Sequence, residues 1–271
     1  MSDLEPTPRV ETANQDTAWS RHAARYESVF LNAFDPRVEN PAWRAFDAIE
    51  NPHLLTVADL GCGPGVLLPS LARRFARVIA IDFAPKMISR AKKRLETSGL
   101  SLEEQARVTL LTRAMSDLDD LERQVDVAIA VSSLVMPDTR EIDKSLRAIH
   151  RSLRPNGFFL GVVPAIDSIH YHTMLLMDRA LDQGMTPDEA ERQAAFHAEH
   201  HEYEFAFGRF MFQGLRQKFW QPFEVRFRLK KAGFRDVVLD QVLYPWEECL
   251  DVGDDFDNQP PSWDWSFTAH P

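Results

Sequence analysis

VADLGCGPG, residues 57–65, followed after a helical stretch by VIAID, residues 78–82, is the part of the chain that decides its architecture. An apolar run ends in an acid, Asp59, and gives way to glycine at alternate positions, Gly61, Gly63 and Gly65, before helix-forming residues begin. Glycine at such a turn lets backbone approach a ligand closely, because a Cβ would hold the ligand off. The next apolar run also ends in an acid, Asp82, whose carboxylate can accept hydrogen bonds from both hydroxyls of a ribose. Strand, glycine turn, helix and strand in this order predict a nucleotide-type site at the carboxyl edge of a parallel sheet. A dinucleotide fingerprint beginning at Gly61 needs glycine at 66, where the chain has Val66, so NAD is disfavoured.

Outward from that turn, short apolar runs alternate with helical stretches. LLTVADL, RVIAID, RVTLLT, VDVAIAV and FFLGVV read as strands, with helices at 66–75, 85–97 and 139–153 between them. RPNG at 154–157 reads as a proline turn with a glycine free to take positive φ. After the fifth strand the alternation stops, and residues 165–221 form an insertion expected to be helical. Gly184 closes one helix there, and Thr186-Pro187-Asp188-Glu189 opens another with an N-cap, a first-turn proline and a capping-box glutamate. A helix from Pro222 to Ala232-Gly233, the strand DVVLDQVLY, an acidic loop and a strand near WDWSFTAH complete the pattern.

The predicted fold is α/β: a doubly wound, mostly parallel seven-stranded sheet with an antiparallel last strand. Residues 1–16 are polar and read as a flexible lead-in. Residues 17–271 read as a single domain, with a helical cap over 17–53 broken at Asp35-Pro36 and Asn40-Pro41.

Composition narrows the function. The 271 residues are 44% apolar, enough to bury a sizeable core, and carry a net charge of −10. Nucleic-acid affinity rests on Lys and Arg neutralising phosphates, so a nucleic-acid partner is disfavoured. Cys62 and Cys249 stand far apart, suggesting neither a disulfide framework nor a cysteine metal site. The amino terminus lacks a signal-peptide pattern and no run of about 18 apolar residues occurs. A cytoplasmic protein with no membrane association is the expectation.

VADLGCGPG together with VIAIDFAPKMISRAKKR resembles motifs I and II of the class I, Rossmann-like S-adenosylmethionine-dependent methyltransferases. The similarity continues through RAMSDL (113–118), VDVAIAVSSLVMPD (125–138) and LRPNGFFLGVV (153–163), and resumes weakly at FRLKKAGF (227–234). It implies that Asp59, Gly61, Cys62, Gly63 and Gly65 surround the methionine and ribose part of S-adenosylmethionine, and that Asp82 binds the ribose hydroxyls. Phe83, Met87, Ala114 and Met115 would lie at the adenine, and Ser132 near the methionine portion; S-adenosylhomocysteine would be the product. Many members carry an aspartate that receives the adenine amino group, where RAMSDL offers Ala114; backbone groups at Ala114 and Met115, or the nearby Asp117, are the alternatives there. Ser132 and Ser133 read equally well as loop caps, Cys62 as a packing residue.

The sulfonium of that cofactor makes its methyl group electrophilic, so the expected work of the protein is alignment and exclusion of water, with a general base only where the acceptor must lose a proton. His170, His197 and His201 in the insertion are candidates for that base. A metal site, a solvated helix and a homodimer surface compete as readings of the same histidines, and no third ligand fixes a metal. Acidic residues at 245–262 beside Trp246, Trp263 and Trp265 would favour a cationic acceptor, or else form a solvated loop. The expected function is methyl transfer to oxygen or nitrogen of a small molecule. RNA or protein methylation, and a catalytically silent cofactor-binding interaction subunit, are the alternatives.

Overall fold

Strands buried on both faces need nearly continuous apolar runs, and β1 (Thr56–Leu60), β2 (Arg77–Asp82), β4 (Val125–Val131) and β5 (Leu153–Pro164) carry them through the centre of the sheet, with β3 (Val108–Thr112), only partly buried, at its edge. The computed structural model describes Trp19 and residues 37–197, 204–212, 215–246, 256 and 258–271. Two further strands, β8 (Arg235–Tyr244) and β9 (Ser262–His270), complete a seven-stranded sheet of order β3-β2-β1-β4-β5-β9-β8. β9 runs antiparallel to β5 and to β8, between which it inserts, as expected for the last strand.

Helices cover both faces. On one side α1 (Pro41–Asp47), α2 (Leu68–Arg74) and α3 (Pro85–Thr97) bury Phe46, Leu68, Leu71 and Ala91 against Val57, Val78 and Ala80. On the other, α5 (Thr139–Ser152) and α8 (Pro222–Ala232) bury Ile142, Leu146 and Leu229 against Ala58, Ile79 and Ala128. A short α4 (Leu102–Ala106) precedes β3, opened by a capping box between Ser101 and Glu104. Strand order runs outward in opposite directions from β1 and β4. Open α/β sheets bind ligands in the crevice at the carboxyl ends of the strands where that reversal occurs. The glycine turn leaves β1 at that crevice.

The break at Asn40-Pro41 is also a helix start: the Asn40 side chain accepts a hydrogen bond from the amide of Ala42 (2.9 Å) and Pro41 occupies the first turn. Three local expectations are corrected. RPNG lies within β5 and makes no turn. Gly157 is absent from the left-handed region, and its value is room: a Cβ there would stand 2.7 Å from the carbonyl oxygen of Asp126 on β4. The insertion begins with α6 (Ile166–Asp182) and α7 (Pro187–His197), capped by Thr186 and Glu189 as expected. Beyond these helices lies an antiparallel hairpin, β6 (Arg209–Phe212) with β7 (Leu215–Lys218).

Candidate functional site

The turn after β1 is locked onto the tip of β2. The amides of Gly61 and Cys62 both donate to the carbonyl of Ile81, at 2.8 and 2.9 Å. Gly61, Gly63 and Gly65 all have positive φ, 75°, 53° and 78°, and each is required for a different reason. A Cβ on Gly61 would stand 2.3 Å from Cβ of Ser133, and one on Gly65 would stand 2.9 Å from Ala91 of α3. A Cβ on Gly63 would meet no protein atom within 4 Å. Gly61 and Gly65 thus serve packing, whereas Gly63 leaves open space beside backbone.

Asp82 ties this turn to α3. Its Oδ2 accepts from the amide of Gly63 (2.9 Å) and its Oδ1 from the amide of Ala84 (2.8 Å). Burial pushes its carboxyl upward in pKa, while the two amide hydrogen bonds hold it down. Asp59 is in a harsher place. It is 2% exposed, and its Oδ2 is buried without a hydrogen-bond partner in the protein. Burial, and next the charge of Asp82, raise its pKa to about 7. A buried carboxylate oxygen left unsatisfied costs stability unless a ligand supplies the donor.

A cleft enclosing about 770 Å³, open solvent included, lies over these residues. Gly61, Gly63 and Asp82 form one end of it. Phe83, Met87, Ala114 and Met115 form an apolar wall, and Ser132 lies at the tip of β4. Eight of the residues expected at a cofactor therefore share one cleft. Asp59, Cys62 and Gly65 support it from behind. The Cys62 thiol is buried among apolar neighbours, and burial followed by the two aspartates pushes its pKa well up, which leaves it an unreactive packing group. Ser132 holds φ at +49°, a strained value for a non-glycine residue, with its amide donating to Val162. Ser133 donates its hydroxyl to the carbonyl of Leu60 (2.7 Å).

Sequence reasoning missed Val135, Met136, Glu141 and Ser145, which also line the cleft. The signal for the last two was their i, i+4 spacing on the helix that directly follows the β4 tip. The loop carrying Val135 and Met136 is fastened from outside. Trp220 Nε1 donates to the carbonyl of Leu134 (2.8 Å), the amide of Lys218 to Val135 (2.9 Å), and Arg209 Nη1 to Pro137 (3.1 Å). Lys218, 1% exposed, pairs with Glu224 of α8, which also binds Arg228. Trp19 lines the cleft from the amino-terminal side and packs on Ala84 and Met87.

Other expected residues lie elsewhere. His170 sits partly buried on α6, away from the cleft lining. His197 is the last residue of α7, and its side chain lies outside the described residues, as does His201. The acidic residues of the 245–262 loop are likewise outside them. Trp246 and Phe256 pack on His172, Leu175 and Leu176 of α6, and Trp265 Nε1 donates to Asp167 (2.9 Å). Among the described residues no group of three or more His, Cys, Asp or Glu side chains could hold a metal ion, and no helix is long and apolar enough to cross a membrane.

Residues 57–157 match a family model described as a methyltransferase domain. A ubiquinone biosynthesis O-methyltransferase of Methylobacterium sp. (strain 4-46) is 31% identical over 107 residues, 40% of this chain and 40% of that protein. A magnesium-protoporphyrin O-methyltransferase of Rhodobacter capsulatus is 32% identical over 132 residues, 48% of this chain and 56% of that protein. The chain thus covers less than two thirds of the length of these curated relatives. Among solved structures, the 1,6-didemethyltoxoflavin-N1-methyltransferase of Burkholderia thailandensis, with 1,6-didemethyltoxoflavin and S-adenosylhomocysteine bound, superposes with a TM-score of 0.58 at 17% identity, covering 100% of this chain and 92% of that one. That likeness is one of fold, and the matched stretch contains the glycine turn, both aspartates and the β4 tip. Residues 57–157 thus match a methyltransferase domain, and in fold the chain is similar to the class I, Rossmann-like S-adenosylmethionine-dependent methyltransferases.

Proposed function

We propose that the protein transfers the methyl group of S-adenosylmethionine to an oxygen or nitrogen atom of a small-molecule acceptor, oxygen being favoured by the O-methyltransferases among its relatives. One observation carries the cofactor assignment. A fully buried carboxylate, Asp59, has an oxygen without a partner beneath a glycine turn whose Gly63 leaves space at the ligand. The cationic amino end of S-adenosylmethionine is a donor of the right charge for Asp59. Asp82, with each oxygen accepting one amide hydrogen bond, keeps lone pairs for a ribose.

When bound, the cofactor supplies a methyl group made electrophilic by its sulfonium. The contribution of the chain is position and dryness. Gly61 and Gly63 hold the turn at a fixed distance from β2, Phe83 and Met115 present flat apolar surface, and Val135, Met136 and Trp19 keep water from the other wall. Orientation of this kind is worth roughly 7–11 kcal/mol of barrier. Alignment and desolvation are the means these residues offer for accelerating transfer.

A small-molecule acceptor is supported over a nucleic acid by the net charge of −10. Incubating the protein with isotope-labelled methyl donor and a metabolite extract tests the reading. We expect label in one or a few small acceptors with wild type and none with Asp59→Asn. Label in RNA or protein only, or none anywhere, overturns it.

A further inference from the structure

The cleft has a polar contact at its far end that the cofactor motifs leave unused. Glu141 and Ser145 lie one turn apart on α5 and both face the cleft. Ser145 is 1% exposed, and its hydroxyl oxygen is buried without a partner. Glu141 is tethered: Oε1 accepts the hydroxyl of Ser116, and Oε2 lies 3.7 Å from Lys144 Nζ. Ser116 is two residues past Ala114 and adjacent to Met115 in sequence, so the tether draws the carboxylate toward the wall those two residues form.

The rest of that wall is apolar. Phe83, Met87, Ala114 and Met115 offer no side-chain hydrogen-bond acceptor beyond a thioether. A purine ring seated among them needs an acceptor for its exocyclic amino group, because a buried donor without a partner weakens binding. The Ala114 side chain provides none, and its carbonyl already accepts the amide of Asp117 (3.0 Å). Given the cofactor reading above, we propose that Glu141 and Ser145 form the reader of the adenine 6-amino group. Glu141 accepts its hydrogen with the carboxylate held in place by Ser116, and Ser145 lies one helical turn behind as the second oxygen. The recognition acid would then come from the helix after β4 and not from the loop after β3.

The test separates this assignment from the cofactor reading it rests on. Binding of S-adenosylhomocysteine and of its analogue with hydrogen in place of the 6-amino group is measured by calorimetry on wild type, Glu141→Ala, Glu141→Gln and Ser145→Ala. Hydrogen bonds to charged groups set the scale, so Glu141→Ala should lose about tenfold or more in affinity for S-adenosylhomocysteine. It should leave affinity for the 6-deamino analogue within about twofold, since that ligand never makes the bond. Ser145→Ala should show the same selective loss at smaller amplitude, and Glu141→Gln, which keeps one acceptor oxygen, should fall between. Thermal melting confirms that each variant is folded; Ser145→Ala deletes a hydroxyl with no partner and serves where Glu141→Ala is unstable. Equal losses for both ligands in folded variants, or no loss for either, overturn the assignment. Failure of wild type to bind S-adenosylhomocysteine overturns the cofactor reading, and this assignment with it.

Discussion

Asp59 sits within the field of Asp82: the two carboxylates end adjacent parallel strands, and after burial the charge of Asp82 is what lifts Asp59 to a pKa of about 7. Their tasks differ because their partners differ. Asp82 is satisfied by two backbone amides, while one oxygen of Asp59 waits for a donor.

The pair makes cofactor binding pH-dependent. A carboxyl whose folded pKa is raised contributes stability that is full below its unfolded value, 3.8, and is lost as pH rises through about 7. A cationic ligand instead needs the ionised form, so binding releases a proton. Affinity for S-adenosylmethionine is expected to rise by tens-fold, on the order of one decade per pH unit below the pKa, between pH 5 and 7.5. Calorimetry in buffers of different ionisation heat should detect the proton, and Asp59→Asn should flatten the profile. A pH-independent affinity in wild type contradicts the mechanism.

The two glycines at the front of the turn separate folding from binding. Gly61→Ala places a Cβ against Ser133 at a positive φ, and a loss of about 3 kcal/mol is expected from backbone strain plus overpacking. Gly63→Ala meets open space, so denaturant unfolding should show only the backbone cost, about 1–2 kcal/mol. Its new methyl group projects where the ligand lies, and S-adenosylhomocysteine affinity should drop well beyond what the stability loss explains. A Gly63→Ala variant that binds normally would remove this glycine from the ligand's path.

A second buried carboxyl lies at the joint between sheet and insertion. Asp264 on β9 accepts from the Tyr244 hydroxyl (2.9 Å) and the amide of Ala165 (3.3 Å), and burial raises its pKa to about 6 against these two bonds. Tyr244→Phe removes a donor that favours the charged form. The variant should lose about 1–2 kcal/mol at pH 8 and distinctly less at pH 5, where the carboxyl is protonated. Equal losses at both pH values would mean that Asp264 does not titrate between them.

The part of the site that was legible from sequence is the part built by consecutive residues. Asp59, the three glycines and Asp82 declare themselves because a strand, a turn and a strand tip each impose a local pattern. Glu141 and Ser145 did not, since polar residues on an amphipathic helix ordinarily face water; only the tether to Ser116, 25 residues away, turns Glu141 inward. Lys218 hid the hairpin for a related reason. A lysine inside a short strand reads as an exposed edge, whereas here Glu224 neutralises it in the interior. Gly157 reads as a turn because RPNG usually is one, and only the neighbouring carbonyl of Asp126 reveals the strand. Long-range partners decided each of these cases.

The hydrogen bonds from Arg209, Lys218 and Trp220 into the carbonyls of Pro137, Val135 and Leu134 bear on how acceptor range can change. The insertion and the cleft wall are one mechanical unit although 72 to 86 residues separate them in sequence. Grafting a different insertion onto this sheet would leave those carbonyls bare and let the wall relax. Exchange of acceptor range between relatives must therefore carry the loop after β4 and the hairpin together.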